Sequence, residues 1–200
     1  MSTANASLFT PAEAAVLTGL SLKAVNNAID KNLVAAVVRP KSGRLLDPLA
    51  LLALALEYRL ASRFFPDLRR RLFDALAASP RKTVLTVDEG LVKVDLHAPR
   101  RDLAASLRAL RRARSLVASD PEVLGGEPVF RGTRVPVHLI ALMVEQGSTE
   151  ADILKAYPRI TSEMVGSATA YIRAYPVRGR PRAQLWRDHA PIRRSRRRLP

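Results

Sequence analysis

The chain has 200 residues, no cysteine, a formal net charge of +15 and 48% hydrophobic residues, enough apolar material for one or two small cores. Without cysteine there is no disulfide frame, no thiolate zinc site and no cysteine nucleophile, a usage that fits a reducing, cytoplasmic setting. The longest apolar run, 48–56, is far short of the roughly 20 residues that span a bilayer, and the opening MSTANASLFTPAEAA lacks the basic and long apolar regions of a signal peptide, so neither membrane insertion nor secretion is expected.

The segment TPAEAAVLTGLSLKAVNNAIDKNL has a helix-turn-helix pattern. Pro11 suits a first helical turn, Ala14 and Ala15 are small where two helices cross, and Gly19 supplies the positive φ of a tight turn with Leu20 buried beneath it. Ser21 then caps a second helix whose apolar stripe is Leu22, Val25 and Ile29, leaving Lys23, Asn26, Asn27 and Lys31 outward. Those are side chains for a major groove, because an asparagine amide pairs bidentately with adenine and lysine reaches guanine or phosphate.

LVAAVVRPKSGRLLDP reads as a hairpin with Arg39, Lys41 and Arg44 at or beside its tip, the place of a basic wing. The expected DNA-contacting set is therefore Ser21, Lys23, Asn26, Asn27, Lys31, Arg39, Lys41 and Arg44. A helix over about 47–65 follows, capped by Asp47, and its Leu49, Leu52 and Leu56 face is one candidate for a dimer contact; a second helix covers about 67–78. KTVLTVDEGLVKVDLHA is a hairpin turning at Asp88, Glu89 and Gly90, and an arginine-rich helix over about 101–116 bridges the two halves of the chain.

The stretch SDPEVLGGEPVFRGTRVPV breaks the helical pattern with glycine, proline and β-branched residues, and reads as a small hairpin in which 127–130 pairs with 133–137 and Pro136 closes it, Arg134 satisfying its carbonyls. Three helices follow, over about 137–145, 149–157 and 162–175, with capping-box spacing at Thr149 and Asp152. Few outward basic residues precede Arg173, so this unit reads as a dimerising or partner-docking scaffold.

From 177 to 200 nine arginines face one acid, Asp188, so this tail carries +8 of the +15. It cannot bury enough apolar surface to fold alone and is expected to stay disordered until an acidic partner orders it. His97, His138 and His189 are scattered without ligand spacing, the glycine pair is not followed by Gly-Lys-Ser/Thr, and no spaced carboxylate set suggests two-metal chemistry. No catalytic residue, metal or cofactor is expected, and the chain does not read as an enzyme.

Residues 120–176 resemble the small domain of unknown function four-three-three, in which a hairpin carrying Gly125, Gly126, Pro128, Gly132, Thr133, Arg134, Pro136 and Val137 leads into a homeodomain-like three-helix bundle. TPAEAAVLTGLSLKAVNNAID is similar to the MerR-like helix-turn-helix that precedes this domain in longer members. Members resemble VapB-type antitoxins, whose usual partner is a PIN-like RNase toxin. The resemblance implies a type II antitoxin that neutralises such a toxin and represses its own operon as a dimer on operator DNA, within a larger toxin-antitoxin complex.

The tail offers a mechanism for the first activity. A PIN-like nuclease concentrates metal-binding carboxylates in one pocket, and guanidinium groups pair with carboxylates bidentately. The expected toxin-binding set is Arg182, Leu185, Trp186, Arg187, Ile192, Arg193 and Arg194. The alternative is a stand-alone DNA-binding regulator whose tail is a nonspecific nucleic-acid arm.

The expected fold is mainly α with small β-hairpins. A winged helix-turn-helix occupies 1–65, a bridging region 66–118, the hairpin and homeodomain-like three-helix domain 119–176, and the basic tail 177–200.

Overall fold

The computed structural model describes residues 8–39 and 43–176. It is mainly helical, with small antiparallel two-stranded hairpins. Among the described residues no helix is long and apolar enough to cross a membrane.

Helix α1 (Pro11–Thr18) is held at its start by a reciprocal capping box: Thr10 Oγ1 accepts from Glu13 N at 3.2 Å and Glu13 Oε2 accepts from Thr10 N at 2.8 Å. Gly19, at φ +73°, turns the chain into α2 (Leu22–Asp30), which Ser21 caps as expected. Val25 and Ile29 are buried, but Leu22 is 44% exposed; Ala28 completes the buried stripe in its place.

Strands β1 (Val37–Arg39) and β2 (Gly43–Leu45) pair antiparallel, and reciprocal 2.8 Å hydrogen bonds between Phe9 and Leu46 bind the hairpin base to the N-terminal segment.

Helix α3 (Pro48–Leu60) is shorter than its hydrophobic pattern, because Phe65 precedes Pro66 and is driven to extended backbone; residues 61–64 turn instead, and α4 (Pro66–Ala78) starts afresh. α3 is buried almost all round, the mark of a central helix. Leu52 and Leu56 belong to the core, so the expected dimerising face is not available.

Strands β3 (Val84–Val87) and β4 (Val92–Asp95) form the second hairpin. Helix α5 (His97–Ser115) begins a turn before Arg101, since Pro99 sits in the first turn, where backbone N–H groups need no helical partner. Its Leu103 and Leu110 close the first core, shared by α1 to α5 and β3.

Strand β5 (Val117–Ala118) pairs with β6 (Val129–Phe130), which corrects the expected hairpin. Residues 133–137 keep a single bridge to β6, Val129 to Pro136, flanked by 3.0 Å hydrogen bonds from Phe130 N to Val135 O and from Val137 N to Pro128 O, while Thr133 Oγ1 donates to Phe130 O in the connecting turn. Gly125 and Gly126, at φ +66° and +84°, follow Leu124 at +50°: the connecting turn holds three successive residues in left-handed backbone, and the glycine pair meets two of them without a Cβ penalty.

Helices α6 (Val137–Glu145), α7 (Glu150–Ala156) and α8 (Ser162–Ala174) enclose a second core around Phe130, Ile140 and Ile153. Thr149 caps α7, as its spacing with Asp152 suggests. The two cores meet where α8 packs on α1 and α5, with Ala174 and Tyr175 reaching into the first.

Candidate nucleic-acid interface

Lys23, Asn26, Asn27 and Asp30 follow one another at i, i+3, i+4 and i+7 and so share one face of α2. Lys23, Asn27 and Asp30 are exposed; Asn26 is half-buried. Ser21 spends an acceptor on the cap, its Oγ accepting from Ala24 N at 3.1 Å, and Lys31 is exposed just beyond the helix. Arg39 is exposed on β1, and Lys41 lies outside the described residues.

Arg44 does more than furnish charge beside the hairpin tip. Its Nη2 donates to Asn26 Oδ1 at 3.0 Å and its Nη1 to Asp30 Oδ1, so β2 is tied to the flank of α2. Guanidinium has only donors, which turns the Asn26 oxygen inward. Asn27 keeps the donor-acceptor edge that bidentate pairing with adenine needs. The structure thus brings Asn26 and Arg44 together and leaves Lys23, Asn27 and Lys31 outward. Asp30 was missing from the expected set, although its place four residues after Asn26 marks it as a neighbour on this face.

In the C-terminal unit, Arg131 serves the carbonyls where α5 passes into β5, donating to Ser115 O at 3.1 Å and Val117 O at 3.2 Å; Arg134 is exposed and has no hydrogen bond to another described residue. His138 Nδ1 lies 2.9 Å from Glu127 Oε1, and among the described residues no three His, Asp or Glu gather as metal ligands. His97 is exposed and His189 lies outside the described residues.

Two cross-links join the halves. Arg112 of α5 grips Glu163 of α8 with two donors, which holds that carboxyl below its ordinary range. Burial, helped by the neighbouring Glu13 carboxylate of the α1 capping box, pushes the Tyr175 phenol up to about 12. Between α1, α5 and α8 lies an open cleft of about 480 Å³ lined by small residues such as Ala109, Gly166 and Ala170; Arg112 and Glu163, paired to each other, are the charged residues among its lining.

Residues 117–172 match the family described as Protein of unknown function (DUF433). Over 191 residues the chain is 33% identical to Uncharacterized protein y4eO of Sinorhizobium fredii (strain NBRC 101917 / NGR234), covering 88% of this chain and 86% of the relative. The chain belongs to the DUF433 family. The crystal structure of Rv2018 from Mycobacterium tuberculosis, at 16% identity, aligns over 82% of this chain and 97% of that one with a TM-score of 0.35, too loose a superposition to equate the two folds.

The DUF433 segment departs in charge from the rest of this basic chain: 117–172 holds seven acidic against four basic residues. Arg182, Leu185, Trp186, Arg187, Ile192, Arg193 and Arg194 all lie outside the described residues.

Proposed function

We propose that this DUF433 protein is a cytoplasmic, non-enzymatic antitoxin of the VapB type, which represses its own operon as a homodimer and neutralises a PIN-like RNase through residues 177–200. In this reading α1, α2 and the β1–β2 hairpin act as a MerR-like winged helix-turn-helix, and the DUF433 segment, with its homeodomain-like helices α6 to α8, assembles the complex.

The observation that carries the DNA-binding half is the Arg44 clamp. It fixes a basic hairpin beside α2 and neutralises Asp30, the one acidic side chain of α2 on the face that carries Lys23 and Asn27. Two copies read an inverted repeat, because one helix-turn-helix covers half a site. The antitoxin half rests on the nine arginines of 177–200, which suit a carboxylate-rich pocket, and on Leu185, Trp186 and Ile192 as apolar anchors.

Co-expression with a PIN-like RNase encoded beside it tests the reading. The two chains co-purify and nuclease activity is suppressed; a regulator whose tail serves DNA alone leaves the nuclease active.

A further inference from the structure

α6 turns Val137, Ile140 and Ala141 into the second core and packs against α7 and α8. On its other side Leu139, half-buried, and Leu142, 41% exposed, stand one turn apart, with Gln146 continuing the row. The sequence around this row is acidic. Glu145 is exposed at the end of α6, Glu150 and Asp152 open α7, and no lysine or arginine occurs from 135 to 154.

We infer that this face holds residues 177–200 of the same chain, with Leu185 and Trp186 laid along Leu139 and Leu142 and the neighbouring arginines over Glu145, Glu150 and Asp152. The chain leaves α8 at the right place, since Arg173 in its last turn stands 4.0 Å from Glu145. Trp186 lies ten positions beyond Pro176, a reach of up to about 33–36 Å. The nine residues of α6 extend over only about 13.5 Å.

Charge selects the same face. Arg108 and Arg111 on α5 and Arg70 on α4 are exposed, with no ion pair to another described residue, and repel a +8 segment, whereas the acids of α6 and α7 attract it. A short tether gives an effective concentration on the order of millimolar, so a contact with intrinsic affinity near that value already holds the tail about half the time. Docked in this way, the tail is withheld from nonspecific nucleic acid, and a denser carboxylate cluster on a partner draws it off.

Trp186 is the chain's one tryptophan, so its emission reports the tail directly. In the full-length protein at low salt its emission is blue-shifted and its quenching by acrylamide slowed relative to N-acetyltryptophanamide, and dilution leaves both unchanged. Leu142→Asp moves the emission to that of the free compound. Glu145→Lys with Glu150→Lys does the same while keeping the apolar row, and circular dichroism verifies that helix content is retained in both variants.

Fully hydrated emission in the native chain, or a blue shift that both variants leave in place, overturns the inference. A blue shift lost on dilution assigns the face to the tail of a second copy and overturns the intramolecular arrangement. Neither nuclease nor DNA enters the measurement, so a failure here leaves the functional proposal standing.

Discussion

Arg44 donates to the side-chain oxygen of Asn26 at 3.0 Å, so the hairpin and α2 are one unit on their outward side. The same guanidinium covers Asp30. On the proposed DNA-binding reading, Arg44→Ala exposes that carboxylate to the phosphate backbone, and operator affinity falls by roughly tenfold or more. Adding Asp30→Asn restores much of the loss. Fold stability moves by less than about 1 kcal/mol, as for other exposed ion pairs, so gel-shift titration of the two single variants and the double variant, alongside urea unfolding, separates the effects.

In the proposed DNA-binding module, Asn27, whose amide is free of Arg44, is the side chain assigned to read a base. Asn27→Ala costs about 1–3 kcal/mol and relaxes preference at one operator position. Lys23→Ala weakens all sequences alike and lowers the salt slope of log K by about 0.9. Binding to a randomised operator library at several salt concentrations distinguishes the two; equal loss on every sequence for Asn27→Ala refutes its reading role.

Glu57 of α3 pairs with Arg69 of α4, and both side chains are only 16% exposed. Removing one partner strands the other charge, so Arg69→Ala destabilises by about 3 kcal/mol, the lower end for a buried pair. Replacing both, Glu57→Leu with Arg69→Met, costs much less. Chemical denaturation of the three variants checks the ordering.

Tyr175 is held neutral by burial and by Glu13, and its phenol is pushed up to about 12. An acid whose folded-state value is raised above its unfolded value, about 10, stabilises the fold fully below that lower value. The contribution is lost as pH rises through the interval from about 10 to about 12. Wild-type stability therefore falls more steeply than that of Tyr175→Phe across this interval, measured by urea midpoints at each pH.

At the acidic end, Glu163 and Asp102 are each held low by an arginine, Arg112 and Arg59 respectively. Their contributions are present above the ordinary carboxylate range and disappear as pH falls through the lowered folded values. Glu163→Gln flattens the acid limb of the stability profile; an unchanged limb means that the α5–α8 cross-link contributes nothing in solution.

Local signals were legible in the sequence wherever one residue type answers one backbone need. Gly19, Ser21, Asp47 and Thr149 sit at the turn and caps that their chemistry suggests, and the DUF433 motif marked the segment that the family comparison matches. What could not be read was pairing between distant segments. Val117–Ala118 looks like the end of a helix, yet it supplies the two-residue ladder for Val129–Phe130, while 133–137 contributes only the Val129–Pro136 bridge. Leu52 and Leu56 look like a free stripe until α1, α4 and α5 are wrapped around α3. At the site, the outward residues of α2 follow from helical spacing, whereas the Arg44 clamp needs the hairpin's docking angle.

The most direct measurement compares the full chain with a version ending at Pro176 in two assays run side by side: inhibition of the partner RNase and binding to operator DNA. The truncated protein should keep sequence-specific operator binding and lose inhibition. The variant Trp186→Ala with Arg193→Ala and Arg194→Ala should behave likewise. If the protein ending at Pro176 silences the nuclease as well as the full chain does, the arginine-rich segment is not the blocking element and the proposed division of labour is wrong.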